Sequence, residues 1–145
     1  MTPSNKSLFG EPGILYVYKS YGIHYCLNIV TDRENFASGV LIRAVYVSDK
    51  NIRLASGPGL VTKSFGIDKS FNSLKVFDNN ILWIEKSELD DEKANLVQTT
   101  RIGIRKAKNI KWRWYLKNSR SVSKREKGDR TPKLKNSNNH FSLKA

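Results

Sequence analysis

The chain contains few of the residues that build disulfide frameworks or zinc centres. It has one cysteine, Cys26, and two histidines, His24 and His140, among 145 residues. A single cysteine cannot form an intramolecular disulfide, and two distant histidines lack the spacing of a zinc site. We therefore expect a reducing, cytoplasmic setting and no metal.

Long hydrophobic runs are also missing. No apolar stretch approaches the roughly 20 residues that a membrane-spanning helix needs. The first residues, Met1–Asn5, lack the apolar core of a secretory signal. With 39% hydrophobic residues, the chain can bury one modest core. These features predict one domain and no membrane partner.

Acidic residues are scarce in the last third of the chain. The net charge is +13, and residues 101–145 contain fifteen Lys or Arg against two Asp or Glu. Residues 1–100 contain eleven of each kind and are neutral overall. A local excess of this size favours a polyanionic partner, and nucleic acid is the commonest one. A cationic protein without such a partner is the alternative interpretation.

The stretch LYVYKSYGIHYCLNIVT, residues 15–31, predicts a β-hairpin. Its two arms, Leu15–Tyr18 and Ile23–Thr31, are rich in aromatic and β-branched residues, and Gly22 in the loop tolerates a positive φ. Apolar residues from Ile23 to Ile29 alternate with His24, Cys26 and Asn28. One face should therefore join the core and the other should be free for a function.

The remaining pattern predicts an α+β fold, with a mostly antiparallel sheet and few short helices. Gly39–Val47 is apolar and is predicted to be a central strand buried on both faces. Ser56–Gly59 should be a turn before a short helix over Leu60–Phe65 that Gly66 ends. The other predictions are a hairpin over 74–86 with turn residues Asp78, Asn79 and Asn80, a surface linker over Glu85–Lys93, strands over Thr99–Ile104 and Lys111–Leu116, and a disordered basic tail over 124–145 after a domain spanning 1–123.

Two residues resist a purely structural explanation. Arg43 interrupts the most apolar predicted strand, where a buried guanidinium needs carboxylates or other acceptors. It either forms a structural ion pair or lines a polar pocket. Tyr21 occupies the hairpin tip, where it either packs back onto the sheet or projects as a wedge that enters DNA when a base is extracted.

Several blocks of this sequence resemble, in the same order, the methylpurine (3-methyladenine) DNA glycosylase family of base excision repair. The blocks are GILYVYKSYGIHYCLNIVT, GVLIRAV, LASGPGLVTKSFGIDKSF, TTRIGI and KWRWYLKNSRSVS, and the resemblance runs from about Thr2 to Ser123. It implies a hairpin that enters the minor groove, flips an alkylated purine and places it for hydrolysis of the N-glycosidic bond. It also implies that no metal or organic cofactor is used.

The resemblance assigns a role to six residues of this chain. Tyr21 matches the intercalating tyrosine, and Tyr18 matches a tyrosine that stacks on the flipped base. Asn28 matches the asparagine that contacts the purine edge. Arg43 matches the pocket arginine that helps to hold the attacking water, together with the backbone carbonyl of Ile102. Lys69 falls where the family has a DNA-contacting lysine, with an ordinary surface lysine as the alternative.

The chain also departs from the family pattern. The family activates water with the glutamate of a Glu-Ala-Tyr motif upstream of a Thr-Pro-x-Asn element, which here is Thr2–Asn5. The general base is thus expected to be absent from these residues, and Glu11, Asp32 and Glu34 lack its sequence context. Leu60 replaces a common lysine, the connection from Val45 to Leu54 is short, and the missing strands should leave apolar surface exposed.

Three interpretations remain open. The chain is a 3-methyladenine DNA glycosylase whose gene is truncated, split or given a late start codon. Alternatively, it is an inactive remnant that binds damaged DNA, or an unrelated basic RNA- or DNA-binding module. The first predicts a cytoplasmic, nucleoid-associated monomer whose partner is double-stranded DNA with alkylated or deaminated purines.

Overall fold

The computed structural model describes residues 1–77, 80–85 and 95–132. Five strands form two antiparallel sheets, and one α-helix lies between them in the sequence. The elements are β1 (Leu15–Ser20), β2 (His24–Val30), β3 (Gly39–Leu41), α1 (Pro58–Ser64), β4 (Leu96–Thr99) and β5 (Arg113–Leu116), with 3-10 helices at Lys6–Phe9 and Lys69–Phe71. The α+β class is confirmed, although two separate sheets replace the one predicted.

The first sheet has the strand order β1-β2-β3, and β1 and β2 form the predicted hairpin. Their register pairs Leu15 with Ile29 at the base and Ser20 with His24 at the tip. Both arms end within two residues of the predicted bounds. Ile23 belongs to the turn and is 70% exposed, so its predicted place on the core face is wrong. Because β2 begins only at His24, Ile23 does not take part in the alternation of inward and outward side chains along that strand.

One face of this hairpin carries the hydrophobic core. Its buried members are Leu15, Val17 and Leu27 from the two strands, joined by Ile67 and Val76. Because side chains alternate along a strand, Tyr16, Tyr18, Cys26 and Asn28 belong to the opposite face. The first sheet therefore separates the core from the face that holds the predicted site residues.

Helix α1 covers an edge of β2 where β3 no longer pairs with it. The Thr62 hydroxyl donates a hydrogen bond of 2.9 Å to the carbonyl of Tyr25, which satisfies an edge acceptor. The helix begins at Pro58, where a missing N–H is tolerated, and its last turn is followed by Gly66 with φ of 63°. The predicted short helix is confirmed, but it begins two residues early, so that Pro58 and Gly59 of the predicted turn belong to the helix.

The predicted central strand over Gly39–Val47 is wrong. Strand β3 ends at Leu41, pairs only with β2 among the described residues, and leaves Gly39 and Val40 exposed. The chain then leaves the sheet, and the Val45 N–H donates to the Ala55 carbonyl at 3.1 Å. An apolar run cannot distinguish a central strand from an edge strand that continues into a packed loop.

The second predicted hairpin is not formed by its described residues. Lys75 makes an isolated bridge to Ile14, and residues 80–85 contain no strand. Asp78, Asn79 and all but the first residue of the Glu85–Lys93 linker lie outside the described residues. The strand predicted over Thr99–Ile104 lies earlier in the chain, since β4 spans Leu96–Thr99. The strand predicted over Lys111–Leu116 is confirmed as β5.

Residues 124–129 pack against the second sheet, which contradicts the prediction of a disordered tail from residue 124. Tyr115 donates its hydroxyl hydrogen to Asp129 at 2.5 Å, and Arg125 pairs with the same carboxylate at 3.1 Å. The Arg125 and Asp129 side chains are both largely buried. The polar composition of this segment predicted disorder, but a few specific polar contacts, rather than apolar residues, fix it on the second sheet. The part of the predicted tail that follows Pro132 lies outside the described residues.

No helix of the described residues is long and apolar enough to cross a bilayer. The same ranges also contain no group of three or more His, Cys, Asp or Glu side chains placed to hold a metal ion.

Candidate nucleic-acid interface

Tyr21 projects from the tip of the hairpin into solvent. Its side chain is 95% exposed, so it does not pack back onto the sheet. Tyr21 and Gly22 both have positive φ, of 50° and 69°, and the Ile23 N–H donates to the Ser20 carbonyl at 3.0 Å. Positive φ at both central residues is the pattern of a type I′ turn, which favours Asn and Gly. A large tyrosine thus occupies a position where local structure prefers a small residue.

Behind the tip, two tyrosines stack on the face opposite the core. The rings of Tyr16 and Tyr18 have centroids 5.3 Å apart and planes 24° apart. Burial raises the pKa of the Tyr16 phenol. Burial, followed by the neighbouring Cys26 thiol, raises the pKa of Tyr18 to about 12. A phenol is neutral at physiological pH even at its ordinary pKa, and the two stacked rings offer a continuous aromatic surface.

Asn28 is fixed on the same face by a bond to the backbone. It pairs with Tyr16 across the hairpin, and its side-chain Nδ2 donates to the Tyr16 carbonyl at 3.1 Å. A longer contact of 3.5 Å reaches the Cys26 carbonyl. The side chain is buried. Because these acceptors use the Nδ2 hydrogens, the side-chain oxygen is the atom that Asn28 can offer to another molecule.

Arg43 approaches the tyrosine face from the segment that follows β3. It is half-buried and interacts electrostatically with Tyr18, Cys26 and Arg113. Burial, followed by the positive charge of Arg113, lowers the pKa of the Arg43 guanidinium. The ion pairs among the described residues are Lys75–Glu11 and Arg125–Asp129, and neither includes Arg43. Within these residues, the structural ion pair proposed as an alternative is not formed.

Arg113 is a residue that the sequence analysis missed. Its Nε donates to the Thr100 carbonyl at 2.8 Å and its Nη1 donates to the Lys124 carbonyl at 3.0 Å. The side chain is buried beside Arg43 and lies over the ring of Tyr115 at 5.3 Å. The sequence feature that could have indicated Arg113 is the predicted strand itself. Side chains alternate along a strand, so Arg113 and Tyr115 share one face and Trp114 lies on the other.

The other candidate residues lie outside the hairpin that carries the stacked tyrosines. Lys69 is exposed at the start of the second 3-10 helix, whose Phe71 packs on the core side of the first sheet. Ile102 is half-buried in the loop after β4, two residues beyond the Thr100 carbonyl that Arg113 holds. Glu11 is exposed and approaches Lys75 at 3.8 Å. The structure thus gathers Tyr18, Asn28 and Arg43 around one face.

We expect Asn28→Asp to destabilise the fold by about 1–3 kcal/mol at pH 7, since an ionised carboxylate would face two carbonyl oxygens without a hydrogen to donate. Urea unfolding measures the change. The loss should shrink at acidic pH, where the protonated acid can donate to the Tyr16 carbonyl again. The exposed Asn118→Asp is the matched control, and equal effects of the two changes at pH 7 would contradict the described orientation of Asn28.

Comparison with known proteins identifies the family. The family model of the methylpurine-DNA glycosylases matches residues 1–120. A protein of Trichodesmium erythraeum is 41% identical over 140 residues, which cover 85% of this chain and 70% of that protein. A protein of Carboxydothermus hydrogenoformans is 40% identical over 136 residues, covering 86% of this chain and 71% of the relative. Both are named "Putative 3-methyladenine DNA glycosylase".

This chain belongs to the methylpurine-DNA glycosylase family. The family resemblance stated from the sequence blocks is thereby confirmed.

Proposed function

We propose that this chain is the DNA-binding and base-receiving part of a 3-methyladenine (alkylpurine) DNA glycosylase of base excision repair. The observation that carries the proposal is the exposed tyrosine on the hairpin tip, directly ahead of a stacked tyrosine pair. The partner is double-stranded DNA that contains an alkylated or deaminated purine.

Tyr21 acts as the wedge in this proposal. A base can be reached by an enzyme only after it leaves the duplex stack, which costs a few kcal/mol of unstacking and unpairing energy. An aromatic ring that fills the gap recovers part of this energy by stacking on the neighbouring bases. The exposure of Tyr21 supports this role, because its ring has no intramolecular packing to break before insertion.

The face formed by Tyr16, Tyr18 and Asn28 receives the extracted base. Some alkylated purines are cationic, and a neutral aromatic ring attracts a cation through its negative face. The stacking of Tyr16 on Tyr18 supports this role, because it presents two neutral aromatic rings on one face. The Asn28 side-chain oxygen is available to contact the purine edge.

Arg43 and the backbone carbonyl of Ile102 hold the attacking water in the proposed reaction. The water adds to C1′ of the sugar as the N-glycosidic bond breaks, and the bond's electron pair leaves with the purine. A carboxylate accepts the proton from this water. We propose that this carboxylate comes from a segment outside the 145 residues. Lys69 contributes a phosphate contact to the bound duplex.

A second candidate function is damaged-DNA binding without cleavage. The observation that favours it is the environment of Arg43, which has no carboxylate partner among residues 1–77, 80–85 and 95–132. Binding cannot distinguish the two functions, because both require the same tyrosines. Measurement of base release distinguishes them, since only the glycosylase cleaves the N-glycosidic bond.

The proposal is tested by the affinity of the full chain for a duplex that contains one ethenoadenine or one tetrahydrofuran abasic analogue. We expect at least about fivefold tighter binding than to the undamaged duplex, since one stacked base contributes about 1–3 kcal/mol. Tyr18→Ala should reduce the preference for ethenoadenine, whereas Tyr46→Ala, outside the hairpin, should not. Equal affinity for damaged DNA, undamaged DNA and double-stranded RNA would refute the proposal in favour of a general basic module.

A further inference from the structure

The hairpin of β4 and β5 has two faces of very different character. Its inner face carries Thr99, Arg113 and Tyr115, all buried. Its outer face carries Leu96, Gln98 and Trp114, all exposed, and Trp114 pairs with Gln98 across the strands. Trp112, just before β5, is also exposed. The outer face takes no part in the tyrosine site described above.

The carboxylates of this region are used on the inner face. Glu126 and Asp129 are the two acidic residues in 101–145. Glu126 accepts a hydrogen bond from the Thr99 hydroxyl, and Asp129 accepts one from Tyr115 and pairs with Arg125. Because both side chains are engaged there, they do not neutralise cations on the outer face.

Among residues 95–132, the outer face therefore combines exposed indoles with positive charge that neither Glu126 nor Asp129 neutralises. Trp112 is 59% exposed and Trp114 is 54% exposed. The Arg101 guanidinium lies 5.3 Å from the centre of the Trp112 ring, and Gln98 donates to the Lys111 carbonyl at 2.9 Å, which ties the two strands together. Exposed cationic residues in the β4–β5 loop and at its ends are Arg105, Lys106, Lys108, Lys111 and Lys117.

We propose that this outer face, around Trp112 and Trp114, binds single-stranded DNA. Positive charge selects a polyanion, and exposed aromatic rings select nucleic acid with unpaired bases, because the base faces of a duplex are already stacked. The family acts on DNA, so DNA is the strand we assign. The proposal goes beyond the glycosylase site, which takes a single base from a duplex on another face.

The test measures binding of the full chain to a fluorescein-labelled 15-nucleotide thymidine strand by anisotropy. We expect the double variant Trp112→Ala/Trp114→Ala to weaken binding at least about tenfold, since each stacked base contributes measurably. Trp112→Phe/Trp114→Phe should keep most of the affinity because phenylalanine also stacks. Trp83→Phe is the control, since Trp83 bonds to Glu85 and lies outside the β4–β5 hairpin. Unchanged binding by the alanine double variant would overturn the proposal.

A second variant tests the proposal independently, in case the alanine double variant does not fold. Lys108→Ala/Lys111→Ala should reduce the salt dependence of binding, with the slope of log K against log salt falling by about 1.4, at about 0.7 per strand contact. Quenching of intrinsic tryptophan fluorescence by the strand should persist in this variant. An unchanged slope, or no quenching in the unmodified chain, would overturn the proposal.

Further binding measurements distinguish single-stranded DNA from the other ligands that this outer face could take. A uridine 15-mer bound at least tenfold more tightly than the thymidine strand would assign the face to RNA and overturn the proposal. Anionic phosphatidylserine vesicles that bind in a Trp-dependent manner without the strand, or a change of oligomeric state in the alanine double variant, would overturn it in favour of a membrane or a second copy. Tyr21→Gly is scored on the abasic-analogue duplex and not on the thymidine strand, so that failure of the duplex proposal is recognised separately.

Discussion

Release of hypoxanthine from a duplex is expected to be at least about 10²-fold slower with this 145-residue chain than with a form extended by whatever the reading frame encodes upstream of Met1. The reason is the carboxylate that we propose as the proton acceptor, which lies outside the 145 residues in that proposal. A positioned base supplies about 10²–10⁴-fold in rate, and positioning of the water supplies more. The described residues place no carboxylate in an ion pair with Arg43.

Single-turnover release of the free base measures this difference, and Arg43 provides the internal check. In the extended form, Arg43→Ala should slow release, whereas Arg53→Ala, an exposed arginine beside α1, should not. Rapid release by the 145-residue chain itself would contradict the prediction. Glu11→Gln would then be the first variant to make, although Glu11 lies beside Lys75 rather than Arg43.

Tyr21→Gly should weaken binding to the abasic-analogue duplex about tenfold to a hundredfold, while the free energy of unfolding changes by less than about 1 kcal/mol. The two effects separate because the tyrosine has a functional contact to lose and no packing to lose. Its left-handed backbone costs a non-glycine residue about 1–2 kcal/mol, and glycine removes this strain while adding flexibility to the unfolded chain.

The comparison requires both duplexes and a stability measurement on the same samples. Binding to undamaged duplex should fall much less than binding to the analogue, and Tyr46→Ala should change neither. Equal losses on the two duplexes would contradict a wedge. A large fall in stability would instead show that Tyr21 packs within the fold, contrary to its exposure.

The hairpin and its functional face could be predicted because they depend on local patterns. Alternation along the second arm separates His24, Cys26 and Asn28 from the core residues, and the register of the hairpin adds Tyr16 and Tyr18 to the face of Asn28. Gly22 indicates the turn because glycine tolerates the positive φ that a tight turn requires. The roles of these residues in DNA binding came from the family resemblance and remain predictions.

The rest of the fold depends on contacts between distant parts of the chain, which local patterns do not contain. The apolar run that begins at Gly39 leaves β3 after Leu41, and the Val45 N–H then bonds to the carbonyl of Ala55, ten residues away. The segment around Asp129 is ordered because Tyr115 and Arg125 meet it, although its composition is typical of a tail. Arg113 was missed because a buried cation that bonds to two carbonyls leaves no motif in the sequence.

The spacing within the hairpin sets a length scale for base recognition. Tyr18 precedes Tyr21 by three residues, so a rise of about 3.3 Å per residue places it at most roughly 10 Å behind the tip. The minor groove is about 7.5 Å deep. We therefore propose that a tip which reaches the groove floor leaves Tyr18 near the rim of the duplex, so that the tip enters the groove while the base-receiving face stays outside it.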